Sequence, residues 1–299
     1  MCGAAAVLSA FDSIAELGPK CDVLAVVALA ENAIDATALK PLEIVKSAKG
    51  LSVEVSNTDA EGRLCLADAM TYAQKMHPYS SSEGGGGGGA GGGGDREKLA
   101  AMVEMSTLTG ACVVALGEEA AGLFTNDSAL ETELRDAGSA CGETLWPMPG
   151  GSFSHPVSTQ RNATQPCPAL STSSQPCPTL FYLPQPYPTL CNPMQSYATL
   201  CNPPPPSPPV LPNHEKEISG EGSHADLKSC GPTRWGGACT AAAFLKQFVE
   251  DDTPWAHVDI AGPSMADKAK GGWPAGATGF GADTLVRWIE GKYGFAERK

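Results

Sequence analysis

Two compositionally biased tracts set the limits on what this chain can fold into. From Ser80 to Gly94 it is Ser-rich and then almost pure Gly; between about 153 and 213 it is dominated by Pro, Ser, Thr, Gln and Cys. The second tract holds an imperfect repeat, Gln165-Pro166-Cys167-Pro168-Ala169-Leu170, echoed at Gln175 to Leu180 and Gln185 to Leu190. Neither tract can bury apolar surface, and repeated Pro blocks helices and sheet ladders alike. We therefore read 80–95 as a flexible Gly-rich loop and 153–220 as a disordered insertion with polyproline character. Roughly 200 residues of domain remain, divided into a first part, 1–152, and a final part, 221–299. Loop-closure entropy grows only with the logarithm of length, so the two parts can still fold together.

Those parts carry alternating helix and strand signals. Residues 4–17 place Val7, Leu8, Phe11, Ile14 and Leu17 near a 3.6-residue period, and Gly18-Pro19 ends the helix. Val23 to Ala30 is a continuous apolar run bounded by Asp22 and Glu31, as expected of a strand buried on both faces. Leu51 to Ser56 alternates as a half-buried strand, and Leu64, Ala67 and Met70 mark the helix after it. Leu99 to Met105 reads as a further strand and residues 111–146 as helix and loop. In the final part, 238–248 reads as a helix, Trp255 to Ile260 as a strand and Thr284 to Tyr293 as a closing helix with Leu285, Trp288 and Ile289 inward. The order implies an α/β domain: an αβα sandwich with a mixed β-sheet.

Charge and cysteines narrow the partners. A formal net charge of -13 argues against nucleic acid or an anionic membrane, which need clustered Lys and Arg. The 11 Cys include no C-x-x-C pair, so they suggest neither a zinc ribbon nor a disulfide framework, but reduced thiols packed as small hydrophobes. No basic residue precedes the apolar opening and Asp12 follows it closely, a pattern unlike a secretory signal. The run at 23–30 is too short to span a bilayer.

Asn57-Thr58-Asp59-Ala60-Glu61-Gly62-Arg63-Leu64 is the chemically informative stretch. It sets two carboxylates two residues apart directly after a strand, with an arginine two residues beyond, where ligands gather in open α/β sheets. Divalent cations compensate such a pair. Equally, Asp59 and Glu61 are ordinary turn residues ahead of a helix, with Arg63 as their salt-bridge partner or a solvated residue of the first helical turn.

This octapeptide resembles the signature of the M17 leucyl aminopeptidases. The resemblance continues through Glu31-Asn32, Thr107 to Gly117, Gly236-Gly237-Ala238 with Phe244 to Phe248, His257 to Pro263 and Ala277 to Gly281, in the family's order and over about two thirds of the chain. It implies a two-metal exopeptidase, cytoplasmic or plastid and hexameric, that releases N-terminal residues, often Leu, from peptides. Asp59 and Glu61 match metal ligands for two Mn²⁺ or Zn²⁺ ions, and Arg63 matches the arginine that holds a bicarbonate. Asn57, Thr107, Leu108 and Gly110 match residues of the substrate cleft. Ala261 and Ser264 fall where the family shapes the pocket for the leading side chain, although Ala261 reads equally well as strand-end packing.

Departures from the pattern carry their own expectation. The family's metal site also takes a lysine and two aspartates, and its catalysis a second lysine, from a segment ahead of the first helix here. None of the four is among these residues, which start at Met1-Cys2-Gly3. The resemblance therefore implies a weakened metal site, and the alternative to an enzyme is a catalytically inactive subunit that co-assembles with full-length relatives.

Overall fold

Buried apolar side chains fall into two separate groups, one on each side of a central sheet, in a computed structural model that describes residues 1–76, 99–149, 212–233, 235–269 and 274–296. The described residues belong to one compact unit of the chain; the other, His155–Pro205, lies outside them, as do the Gly-rich loop and the Pro-rich repeats. Residues 212–220, the tail of the expected insertion, are described and folded.

The helices are α1 (Cys2–Leu17), α2 (Glu61–Met76), α3 (Gly110–Leu116), α4 (Ser128–Cys141), α5 (Pro212–Glu217), α6 (Gly237–Lys246) and α7 (Ala282–Tyr293). The strands are β1 (Ile44–Lys46), β2 (Ser52–Glu54), β3 (Met102–Ser106), β4 (Ala120–Thr125), β5 (Thr144–Pro147), β6 (Leu227–Lys228), β7 (Trp255–Asp259), β8 (Met265–Ala266) and β9 (Gly276–Ala277). Four strands form the main sheet in the order β3-β7-β4-β5. β3 runs parallel to β7 with Glu104 opposite His257, β7 antiparallel to β4, and β4 parallel to β5. The sheet is mixed, as expected.

Strand alternation sends successive side chains to opposite faces. Along β7, Ala256 and Val258 join α1, α4 and α7 through Ala10, Leu134 and Trp288, while Trp255 joins α2 and α6 through Met70 and Phe244. The layers are therefore helix, sheet, helix. A second sheet, β1-β2-β6, completes the α2 side; there the parallel pairing of Val53 with Leu227 ties the first part of the chain to the last.

Local chemistry sets the helix ends. Gly18 takes the left-handed conformation (φ 70°) and closes α1 with its amide on the Ile14 carbonyl, as Gly18-Pro19 foretells. The side chain of Asp127 caps α4 and that of Thr109 caps α3.

Two expectations are corrected. Val23 to Ala30 forms no strand, because no described residue offers its backbone a ladder partner; the segment lies irregular beside the cavity described below. The stretch 111–146 holds two strands rather than helix and loop alone. Ala120-Ala121-Gly122 is poor strand material, and β4 forms there because it fits between β7 and β5. At Gly122 an added Cβ would lie 2.8 Å from the Cys112 sulfur, so close packing of α3 on the sheet demands glycine.

Candidate active site

The octapeptide occupies the passage from β2 into α2. Asn57 caps a short 3₁₀ turn, Thr58–Ala60, its side-chain oxygen accepting from the Asp59 amide at 3.0 Å. Glu61 then opens α2, where its charge complements the helix N-terminus. Asp59 is exposed and Glu61 half-buried, with the Asn32 amide donating to Glu61 Oε1 at 2.9 Å. That bond joins two motifs that the resemblance singled out separately.

Arg63 faces inward. It is 7% exposed, and its Nη1 donates to the Ser229 carbonyl at 2.7 Å. Burial lowers its pKa, against opposing contributions from Cys230 and Asp259. Its Nε is buried without a hydrogen-bond partner among the described residues, and such an orphaned donor suits a small anion such as bicarbonate. Arg63 is thus a buried, carbonyl-anchored cation rather than the surface ion-pair partner of Asp59 and Glu61.

Asp259, at the end of β7, organises the loops around the site. Its carboxylate is fully buried and accepts from the Leu108 amide at 3.1 Å, the Thr109 hydroxyl at 2.6 Å and the Ala261 amide at 3.2 Å. One side chain therefore fixes both the 107–110 loop and the turn at 261–264. Its place in the motif His257 to Pro263 was visible in sequence, but its role was missed: an acid ending an otherwise buried strand is the available signal. Gly262 seats the second turn, since a Cβ there would lie 2.0 Å from the Gly117 carbonyl oxygen. Burial, followed by the Asp259 carboxylate, pushes the Cys112 thiol up to about 12. It stays neutral and packs as a small hydrophobe; all seven described cysteines are free.

Beneath these loops lies a second buried pair. His257 Nδ1 meets Glu104 Oε2 across β3 and β7, and the ring stacks on Phe124 at 5.5 Å. Burial pulls the His257 pKa down, but the charge and hydrogen bond of Glu104, with help from Asp259, more than reverse this, so it lies above its ordinary value.

A cavity of about 1690 Å³ gathers part of the predicted set. Asp59, Glu61, Thr107 and Leu108 line it together with Asn32; Asn57, Arg63, Gly110, Ala261 and Ser264 do not. Ser264 is buried in its turn, where its amide bonds the Ile260 carbonyl at 3.0 Å and its carbonyl accepts from Thr278.

The donor set does not suffice for a pair of ions. Among the described residues no group of three or more His, Cys, Asp or Glu is placed to hold a metal. Asp59 and Glu61 supply two carboxylates, one of them already engaged by Asn32, whereas two bridged ions need a larger shell of oxygen and nitrogen ligands.

A mixed-sheet αβα domain with carboxylates at a cleft beyond the strand ends has the outline of a hydrolase catalytic domain, and comparison with known proteins gives its lineage. The chain matches the model of the cytosol aminopeptidase family, catalytic domain, over residues 1–169 and 202–286, and belongs to that family. It is 38% identical over 289 residues to a probable cytosol aminopeptidase of Prochlorococcus marinus (strain MIT 9211), covering 96% of this chain and 42% of that protein. With a probable cytosol aminopeptidase of Synechococcus sp. (strain JA-3-3Ab) it shares 39% over 290 residues, covering 97% and 40%. Among solved structures it aligns with a tomato leucine aminopeptidase mutant at a TM-score of 0.62 and 31% identity, over 96% of this chain and 40% of that one. The chain thus spans about two fifths of the length of these relatives.

Proposed function

We propose that this chain carries the substrate-facing part of an aminopeptidase active site that releases N-terminal residues, leucine by preference, from peptides. One observation carries the reading: Asp59 and Glu61 line the same cavity as Thr107 and Leu108, and the chain's family is that of the cytosol aminopeptidases. Carboxylates at the strand ends draw the free ammonium group of a peptide into the cleft, and the 107–110 loop, held by Asp259, presents backbone to it. Arg63 is the candidate for a bound bicarbonate. The divalent ions expected of the family, Mn²⁺ or Zn²⁺, need ligands beyond Asp59 and Glu61, so the 299 residues alone are proposed not to turn substrate over. A homo-oligomer, hexameric as in the family, and a cytoplasmic or plastid location complete the reading.

The test is leucine release from a leucyl-amide substrate in saturating Mn²⁺ or Zn²⁺. The 299-residue chain is expected to release none. Joined to the unmatched part of the Prochlorococcus relative it is expected to gain activity, and to lose that activity on Glu61→Gln. Robust turnover by the purified chain alone refutes the incomplete site. Activity of the fusion that survives Glu61→Gln refutes its assignment to this cleft. A second reading, a non-catalytic subunit assembled with longer relatives, draws on the small ligand set; an inactive fusion that still co-purifies with a full-length relative favours it.

A further inference from the structure

Strand alternation places Glu104 of β3 with His257 and Asp259 of β7 on one face of the sheet, and the register sets Glu104 opposite His257. Arg63 of α2 bears electrostatically on both His257 and Asp259. All four groups are buried, His257 and Asp259 completely, and charges so deep are little screened by water. Hydrogen bonds join only part of the set. His257 Nδ1 meets Glu104 Oε2, whereas Glu104 Oε1, His257 Nε2 and Arg63 Nε make no hydrogen bond among the described residues. The side-chain link from the Glu104–His257 pair to Asp259 is therefore one of charge. Asp259 depends on such links, because a carboxylate without exposure is costly unless it is compensated. Its hydrogen bonds come from neutral groups, the amides of Leu108 and Ala261 and the hydroxyl of Thr109. Its cations are Arg63 and, when protonated, His257. With the ring charged, two anions face two cations; with the ring neutral, two anions share one.

We infer that His257, paired with Glu104, is a positioning residue for the cleft: as an imidazolium it acts through Asp259 to hold the 107–110 loop and the turn at 261–264 in place. The groups facing the ring from each neighbouring element set the sign. Burial opposes the charged ring, Glu104 of β3 and Asp259 of β7 favour it more strongly, and Arg63 of α2 opposes it. From β4 comes Phe124, which stacks on the ring at 5.5 Å and carries no charge. From α3 and α6 come Cys112 and Cys239, thiols that burial pushes up and keeps neutral. Because the folded pKa of His257 lies above its ordinary 6.5, the imidazolium is fully present below pH 6.5 and is lost as pH rises through the folded value. Order in the two loops follows the same course. The inference rests on the proposed function only in counting these loops as cleft; their order is read without turnover, so an inactive cleft leaves it standing.

Nuclear magnetic resonance of the 299-residue chain between about pH 5 and 9 tests it. The His257 ring signals report its charge, and amide exchange at Leu108 and Ala261, corrected for the intrinsic rate, reports the loops. Loop protection is expected to fall about tenfold as the ring loses its proton, with one midpoint for both, while amides of the β4–β7 centre change less. In Glu104→Gln, where the ring loses its main charged support, the loops are expected to be loose already at the pH where the wild type holds them; Glu104→Asp, which keeps the charge, is expected to restore protection. A ring that titrates without any change in the loops overturns the inference, as does a ring that is neutral throughout. Loops that stay protected in Glu104→Gln around a neutral ring overturn it as well, and so does loosening of the centre equal to that of the loops, which would make the pair a mere support of the sheet. If Glu104→Gln does not fold, the comparison of midpoints in the wild type decides alone.

Discussion

The centre of the main sheet and its β3 end are built from the same kinds of residue and end in opposite conditions. At the β4–β7 centre every strand has neighbours on both sides and helices on both faces; Phe124, Trp255, Ala256 and Val258 are all 1% exposed or less. At the β3 end the strand has one neighbour among the described residues, and the apolar run at 23–30 is only partly buried. Composition does not separate the two regions, because both are rich in Val, Ala and Leu. What separates them is whether another piece of chain stands beside the strand.

Substitutions can break or sharpen that contrast. The largest effect is expected at the centre: Phe244, fully buried against Phe248 at 5.1 Å, should cost about 3–5 kcal/mol on Phe244→Ala, read from the shift of the denaturant midpoint. Next comes Glu104→Gln, which leaves His257 without its charged partner and should cost about 3 kcal/mol. This variant also has a pH signature. Because the folded pKa of His257 lies above its ordinary 6.5, the pair's stabilisation is fully present below pH 6.5 and is lost as pH rises through the folded value. Wild-type melting temperature should therefore fall over that rise, and the slope should flatten in Glu104→Gln.

Asp259→Asn should cost about 1–3 kcal/mol, since a buried acceptor of several hydrogen bonds is weakened; faster amide exchange at Leu108 and Ala261 would locate the loss in the two loops. Val26→Ala, beside the cavity, should cost less than about 1 kcal/mol. A cost as large as that of Phe244→Ala would mean that 23–30 is as tightly held as the centre and would erase the contrast. The smallest change is expected for Asp59→Asn. At an exposed turn it should move the melting temperature by no more than about 0.5 kcal/mol implies, with or without millimolar Mn²⁺; a large Mn²⁺-dependent rise in the wild type that Asp59→Asn abolishes would show a competent ion site.

How much was legible in the sequence follows the same line. α1, α2, α7 and β7 were readable because periodicity and flanking Gly and Pro act locally. β4 was not, since Ala120-Ala121-Gly122 becomes a strand only through what lies beside it, and Val23 to Ala30 failed in reverse, a strand-like run without a ladder partner among the described residues. In the site, Asp59, Glu61 and Arg63 stood out because eight consecutive residues spelled a known pattern. The grip of Asp259 on Leu108 and Thr109 joins residues about 150 positions apart, beyond the reach of spacing arguments. Reading charge alone makes Arg63 a local partner of Asp59 and Glu61, because a cation four and two residues from two carboxylates suggests a local pair, whereas the helix turns it inward to Ser229.

The strand order also dictates when the sheet can exist. β3 and β4 never touch through a ladder; β7 stands between them and pairs with both. Until residues 255–259 arrive, therefore, the earlier strands have no common neighbour, and the first half of the chain holds pieces of a sheet rather than a sheet. Synthesis from the N-terminus delivers β7 late, after the Pro-rich tract has been made. Lengthening that tract delays its arrival in proportion to the residues added, while the entropic cost of closure rises by only about 0.6 kcal/mol per doubling. The insertion thus weighs on the timing of folding more than on its final stability, and leaves β3 and β4 waiting, with exposed edges, for the strand that joins them.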